Sequence, residues 1–367
     1  DPLAPRYVST VDSGNLAACL LALRQGLERL EHERIVRWQR WRGFCNTLGV
    51  LRGVVEAAEQ QGEVAEAATA LKGEIDQIRQ ELLSVREESG RWIPLLAELE
   101  EEVAGPLSRR LQALLDAGSG ILDTATLRDL RLWSERVHLH LSDLRKEVER
   151  ILPWVPLVNA RPSILVSEGA EGLNPAIAET WRGIVEGLPI DPPLGEVSTV
   201  CREARKGLEE LRAILEEDLE SLGEEEEDDL GSQLKDALKW SEELDQALES
   251  ARITAGGMMI GLDNLASRAE AYVDDMTFGF LYDERRDVFY IGYRVDSEQL
   301  DDNHYDLLAS EARIASIVAI SKGEVPQRHW LHLNRPLSGV DGLRTLLSWG
   351  GSMFEYLMPD LIMRNYE

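Results

Sequence analysis

The sequence has 367 residues, 44% of them hydrophobic, and a formal net charge of −28. That length suits one large domain or two, and the acidity argues against a nucleic-acid backbone or an anionic membrane surface, leaving a neutral ligand, a metal, a cation or a protein as partner. No stretch approaches the roughly 20 apolar residues of a membrane helix, and Cys19, Cys45 and Cys201, three in number with no CxxC, indicate neither a zinc knuckle nor a disulfide framework but a reducing compartment.

The chain opens Asp1-Pro2-Leu3-Ala4-Pro5, without Met and without the basic-then-apolar start of a signal peptide. It closes on Asn365-Tyr366-Glu367 straight after an apolar run. Both ends read as cut, so a segment of a larger protein is expected. Asp12, Ser13 and Asn15 are candidate caps for the helix that follows. That helix, LAACLLALRQGL, is apolar nearly all round and is expected to be buried. Helix continues over 25–48 with Trp38, Trp41 and Phe44, and long amphipathic helices are predicted from 49 to about 150. LLSVREESGRWIPLLAELEEEV and LRDLRLWSERVHLHLSDLRKEVERIL carry that pattern, punctuated by Gly118-Ser119-Gly120 and Pro153. Residues 153–198, with seven prolines, read as a looser connection, and 199–219 and 231–252 as helix again. Between these last two lies GEEEEDDLG (223–231), a solvated like-charge loop without the Asp-x-Asp-x-Asp-Gly order of a calcium site. Residues 51–255 hold 44 Asp and Glu against 22 Lys and Arg, an acidic middle between more balanced ends.

The texture changes near Gly256-Gly257, which precede the helix LDNLASRAEAYVDDM. In FGFLYDERRDVFYIGYRVD, Asp283-Glu284-Arg285-Arg286 separates two β-prone runs and predicts a hairpin. Asp301, Asp302 and Asn303 can cap a helix over 305–320, YDLLASEARIASIVAI. SKGEVPQRHWLHLNRPLSGVDGLR is predicted as loop, ahead of LLSWGGSMFEYLMPDLIM. The whole reads as mainly α with one small β-hairpin and no fixed-period repeat.

Glu311 is the sharpest candidate for chemistry. On a helix turning 100° per residue it lies within about 60° of Leu307, Leu308, Ile314, Ala315 and Val318, so it points into the apolar face. A charge there must be paired, hydrogen-bonded or protonated. It is either a structural carboxylate or an acid, base or nucleophile. Ser352-Met353-Phe354-Glu355 fits a capping box, which gives Glu355 a structural role, though with Trp349, Gly350 and Gly351 it also suits a site for a sugar ring. Asp12 and Asn15 are either caps or the polar lining of a site. His329 and His332 could share a helical face, but no carboxylate completes a metal set, and His138 and His140 point to different faces. No phosphate loop, GxSxG elbow or Cys/His nucleophile pattern is present, so ATP, NAD and serine-hydrolase readings have no support.

Four segments in order, PRYVSTVDSGNLA (5–17), FGFLYDERRDVFYIGYRVD (278–296), YDLLASEARIASIVAISKGEVPQRHW (305–330) and LLSWGGSMFEYLMP (346–359), resemble the glycoamylase-like cyclisation domain of bacterial cyclic β-1,2-glucan synthases. The resemblance is dense over 256–367 and the first 20 or so residues. It implies a partial (α/α)6 barrel: its first helices in 1–48, a long acidic helical insertion or side domain in 49–255, and a barrel segment, truncated at the C-terminus, in 256–367. It implies a retaining transglycosylation that cyclises linear β-1,2-glucan. Such chemistry uses two carboxylates about 5–5.5 Å apart. Glu311 matches the family's SEAR glutamate, with its role as nucleophile or acid/base left open. The second resembles a glutamate in a Trp-Gly-Ile-Ser-Glu-like segment that this chain does not contain. Trp349, Glu355 and Tyr356 are expected at the glucan site as wall or cap, and Asp12, Asn15, Tyr305, Asp306 and Arg313 as substrate contacts or supports of Glu311. No cofactor or metal is implied. The implied partners are linear β-1,2-glucan and adjoining glycosyltransferase and phosphorylase-like domains, on the cytoplasmic face of the bacterial inner membrane, without nucleic acid and without membrane insertion by this segment. The alternatives are an endo-β-1,2-glucanase on the same scaffold and a non-catalytic glucan-binding or docking module.

Overall fold

The computed structural model describes residues 4–61, 64–166, 174–221 and 229–362. The protein is mostly helical, with small antiparallel sheets. Its backbone divides into two units, one formed by residues 1–30 and 260–367 and the other by 31–259. In chain order the first elements are β1 (Tyr7–Ser9), α1 (Thr10–His32), α2 (Trp38–Glu59), α3 (Ala65–Ser84), α4 (Ser89–Glu102), α5 (Ser108–Ala117), α6 (Thr124–Ile151), α7 (Trp154–Asn159), α8 (Pro175–Gly187), α9 (Val197–Ser221) and α10 (Asp229–Asp275). Among the described residues, no helix is long and apolar enough to cross a membrane.

The 31–259 unit is built by helical periodicity. Along α2, Trp41, Phe44, Leu48, Leu51 and Val55 are buried at three- and four-residue steps, and α3 answers with Leu71, Ile75, Ile78 and Leu82. Arg52 ties the two, its Nε donating to Asp76 at 2.9 Å and its Nη1 to Glu56 at 2.5 Å. α6 starts where Asp123 caps it, accepting from the Thr126 N–H at 2.8 Å, and runs the length its pattern predicts. The helix expected over 82–103 breaks instead at Val85–Glu88, before Ser89-Gly90; the Trp92 indole N–H donates to the Val85 carbonyl at 2.8 Å and seals the turn. The connection over 153–198 contains two short helices, α7 and α8. The acidic loop expected at 223–231 falls mostly outside the described residues. The Gly256-Gly257 break is not made: α10 runs through it as one 47-residue helix. Each glycine in a helix costs only about 1 kcal/mol, and Ala251 and Ala255, fully buried, anchor the turns before it.

In the other unit, α11 (Arg313–Ser321) is central, and Ile314, Ala315, Val318 and Ala319 form a core with Ala17, Ala18, Val273, Phe278, Leu281, Phe289 and Val325. The predicted hairpin is present as β2 (Tyr282–Asp283) and β3 (Val288–Tyr290). Asp283 makes its turn, accepting from the Arg285 N–H at 2.9 Å. The single-hairpin expectation is nevertheless too low. β4 (Gly292–Arg294), β5 (Gln299–Leu300) and β6 (His304–Tyr305) complete two three-stranded sheets, ordered β1-β4-β5 and β2-β3-β6. The segment expected as loop after Ser321 holds α12 (Arg328–His332) and one arm of a further hairpin, β7 (Leu337–Val340) with β8 (Leu343–Leu346). Asp341 and Gly342 turn it, both at positive φ, as a type I′ turn requires. α13 (Met353–Leu357) follows.

Two further expectations are corrected. α1 is not buried all round, since Leu16 (53% exposed) and Leu23 face outward while Ala17 and Ala18 face the core. The helix over 305–320 begins only at Arg313, because residues 304–305 pair as β6 and Leu307 bridges to Asn334. His329 is structural. It is fully buried, edge-on to Phe289, with Nδ1–H donating to the Asp287 carbonyl at 2.8 Å and Nε2 accepting from the Ser316 hydroxyl at 2.8 Å. Burial pushes its pKa down, keeping it neutral.

Lys322 closes the C-terminal end of α10. Its ammonium donates to the carbonyls of Val273 (2.5 Å), Asp274 (3.1 Å) and, just past the helix, Met276; Val273 also accepts from the Met276 N–H at 3.2 Å. Lys322→Met keeps the aliphatic stem and removes the donors. It is expected to destabilise the protein by about 1–3 kcal/mol in urea unfolding; an unchanged midpoint would show that the carbonyls are satisfied by solvent.

Candidate active site

The polar cluster around Glu311 begins with a glycine. Gly14 of α1 lies so close to α11 that a Cβ added to it would sit 2.5 Å from the Ala315 Cβ and 2.6 Å from its Cα. Only glycine permits this approach. It sets the first turns of α1, with Asp12 and Asn15, beside the segment leading into α11. The cap of α1 is Ser9, whose hydroxyl accepts from the Asp12 N–H at 3.2 Å. The helix starts at Thr10, so Asp12 and Asn15 lie within it and neither is its cap. Asn15 Oδ1 is buried without a hydrogen-bond partner in the protein.

Glu311 sits in the turn before α11, not on the helix. Ser310 makes that turn, its hydroxyl accepting from the Ala312 N–H at 3.1 Å. The carboxylate is partly buried, and its Oε2 is fully covered yet has no hydrogen-bond partner. Burial pushes the Glu311 pKa up, and the nearby charges of Glu355 and Asp12 push it the same way. Tyr305, at the end of β6, belongs to the same cluster: burial first, then the charges of Glu311, Asp12 and Asp301, raise its pKa. Asp306 follows it. Its carbonyl accepts from the Asn334 N–H at 2.7 Å, while its Oδ1 is buried and unpartnered.

Glu355 is in the opposite condition. The expected capping box is present, with Ser352 capping α13 and Glu355 reaching back. Glu355 Oε1 and Oε2 also accept from the Gly350 N–H, each at 3.0 Å, and Oε2 from the Ser348 hydroxyl and the Ser352 N–H, both at 3.0 Å. Burial pulls its pKa up, but these donors outweigh burial and hold it below the ordinary carboxylate value. Gly350, expected from the sequence beside a sugar ring, gives its N–H to Glu355. Ser348 went unnoticed in the sequence; a hydroxyl seven residues before a glutamate in a glycine-containing loop carries no periodic signal.

Arg313 brings the two glutamates' segments together. Its Nη2 donates to the Tyr356 carbonyl at 2.8 Å and lies 3.7 Å from Asp360. The Tyr356 hydroxyl donates to the Leu346 carbonyl at 2.5 Å. Both side chains therefore act as braces in this structure. Trp349 is 62% exposed, and its neighbours Met353 and Phe354 are exposed as well. Among the described residues, no three His, Cys, Asp or Glu side chains converge to hold a metal ion.

Asn15, one turn along α1 from Asp12, Asp306, next to Tyr305, and Glu311 each carry a buried oxygen lacking a donor. Electrostatically, Glu311 is linked to Asp12, Tyr305 and Glu355, and the proton affinities of Glu311 and Glu355 are driven apart. Pairs of that kind serve acid/base chemistry. No protein-family model matches the chain. The chain is related to a bacterial cyclic beta-(1,2)-glucan synthase. That relative is NdvB of Rhizobium meliloti (strain 1021), 28% identical over 367 residues, which cover 99% of this chain and 9% of NdvB. The chain therefore spans less than a tenth of the length of this curated relative.

Proposed function

We propose that this chain is part of a cyclisation module that acts on linear β-1,2-glucan by retaining transglycosylation, with Glu311 as one of two catalytic carboxylates. The observation that carries the proposal is the Glu311 carboxyl itself: partly buried, one oxygen unpartnered, beside two further carboxylates. A structural carboxylate would have its hydrogen bonds. The relationship to a cyclic beta-(1,2)-glucan synthase supports a β-1,2-glucan as the substrate class. The helices of the 1–30 and 260–367 unit are read as part of an (α/α)6 barrel. Glycosyl transfer of this kind breaks the glycosidic bond as a carboxylate attacks the anomeric carbon and a carboxylic acid protonates the leaving oxygen. A hydroxyl at the chain's own non-reducing end then attacks the glycosyl-enzyme and returns its proton. No cofactor is needed, and a neutral glucan meets no repulsion from a net charge of −28. Asn15, Asp306 and Glu311 offer acceptors that sugar hydroxyls can satisfy. Adjoining glycosyltransferase and phosphorylase-like domains would supply and trim the linear chain on the cytoplasmic face of the inner membrane.

Product analysis tests this. Incubation of the protein from its native source with linear β-1,2-glucan is expected to give rings without new reducing ends. Accumulation of reducing ends would identify the endo-β-1,2-glucanase reading instead, and no turnover with retained binding the glucan-binding module. Trp349→Ala is expected to weaken glucan binding about tenfold, as loss of a stacking face does, with little change in melting temperature because the ring is largely exposed. Calorimetric titration checks it, and unaltered affinity would remove Trp349 from the site.

A further inference from the structure

The 31–259 unit carries a polar groove that the Glu311 reading does not use. It runs along α6 beside α2 and has a volume of about 430 Å³, inside the range of about 300–1,000 Å³ usual for ligand pockets. α6 lines it with Trp133, Arg136, His140, Asp143 and Glu147, and α2 with Arg40 and Thr47. Steps of three and four residues put the α6 side chains in one stripe, next to the stripe of Leu130, Val137, Leu141 and Val148 that α6 buries. At 1.5 Å per residue, the stripe from Trp133 to Glu147 is about 21 Å long, room for several sugar rings in line.

The polar groups of the groove are held in place. The His140 ring stands edge-on to Phe44, centroids 5.7 Å apart. Its Nδ1–H donates to the Thr47 hydroxyl at 3.0 Å, and that hydroxyl donates to the Gly43 carbonyl at 3.3 Å. Nε2 is then the acceptor of the ring. Burial pushes the His140 pKa below its ordinary value, so the ring is neutral at pH 7. Arg40 Nη2 donates to Glu147 at 2.8 Å and ties α2 to α6. A small cavity of about 20 Å³ shares Arg40, Leu144 and Glu147 with the groove and is lined by Trp41 as well. Trp41 is 1% exposed, and its indole N–H has no acceptor in the protein. A space of that size holds one water or one hydroxyl, and either would satisfy the indole.

We propose that the groove between α2 and α6 is a second carbohydrate site, which binds a neutral sugar chain, linear β-1,2-glucan, along the helical unit. The sugar class follows from the groove; that the sugar is this glucan rests on the proposed function. Arg40 and Arg136 are matched by Asp143 and Glu147, so the groove selects neither an anion nor a cation. This balance is local, since residues 51–255 hold 44 acidic against 22 basic residues. Trp133, partly buried, offers a flat face to the C–H side of a sugar ring. Arg136 donates, Asp143 accepts and His140 Nε2 accepts, which suits ring hydroxyls that do both. An apolar ligand would bury these groups without partners.

Oxidative footprinting reads the groove without any substitution. The whole protein is exposed to hydroxyl radicals with and without linear β-1,2-glucan, and oxidation of Trp133 is measured by mass spectrometry. Glucan is expected to lower it to about half or less, since a pocket covers most of its ligand's surface and is covered in turn. Calorimetric titration adds the energetics. Trp133→Ala is expected to weaken, about tenfold, the glucan binding that remains in the Trp349→Ala background. If Trp133→Ala does not fold, Arg136→Ala, a change to an exposed side chain, is expected to weaken the same binding about threefold. Unchanged Trp133 oxidation at the highest soluble glucan concentration overturns the proposal, even if the protein makes rings. Unchanged affinity in the folded variant also overturns it. Protection of Trp133 without glucan turnover upholds the groove and counts against the Glu311 reading instead.

Discussion

Glu311→Gln is expected to lower glucan turnover by about 10³-fold while making the protein more stable at neutral pH. The two halves of that result have one cause. Glu311 is held beside Glu355 and Asp12 with one covered oxygen and no donor. Its folded pKa lies above the ordinary value of 4.5. A carboxyl of that kind binds its proton more tightly in the folded than in the unfolded protein. Stability therefore falls as pH rises from the unfolded pKa through the folded one, and the full penalty is present above it. Glutamine keeps the shape and removes the charge, so the variant gains above that window and gains nothing below pH 4. A gain of about 1 kcal/mol at pH 7 is the usual size for relief of a strained functional residue. Urea unfolding at pH 4 and pH 7, with product analysis, checks both. Full activity in the variant would end the catalytic assignment, and lower stability at pH 7 would show that Glu311 is a structural carboxylate after all.

Gly14→Ala is expected to destabilise the protein by about 1–3 kcal/mol or more, against the usual sign of the exchange. In an open helix the alanine would gain up to about 1 kcal/mol. Here the new methyl would meet the Cβ, Cα and N of Ala315 at 2.5–2.7 Å. Backbone on both sides cannot step aside, so α1 must lift from α11. Asp12 and Asn15 would lift with it, and glucan turnover should drop together with the urea midpoint. The paired change Gly14→Ala with Ala315→Gly moves the methyl from one helix to the other and should recover part of the loss. A double-mutant cycle measures this. Wild-type stability in Gly14→Ala alone would show that the two helices are not in contact at that point.

Much of this was legible in the sequence wherever neighbours in sequence decide the structure. α6 follows from its spacing, the β2–β3 turn from Asp283, and the α13 cap from Ser352 and Glu355. Glu311 was read as inward on the premise of a helix reaching back to Tyr305. The oxygen is indeed covered, but a turn built by Ser310 places it there. The strand at His304–Tyr305 overrides the helical pattern because it gains a partner in β3, and local periodicity carries no record of such a partner. β1 shows the same limit. Three residues without a hairpin signal become a strand only through β4. The cradle of Glu355 was legible in its cap bond alone, since the Ser348 and Gly350 donors depend on how the loop closes.

The pairing of β1 with β4 also bears on when the site comes into being. Arg6 meets Asp296 across 290 residues of sequence, its N–H and guanidinium both held by one carboxylate. At roughly 5–20 residues per second a ribosome needs about 15–60 s to make that stretch. For all that time α1 has been synthesised and its inner face of Gly14, Ala17 and Ala18 has no α11 to lie against. The Glu311 cluster can therefore assemble only after the acidic middle has been made and its helices have had time to fold.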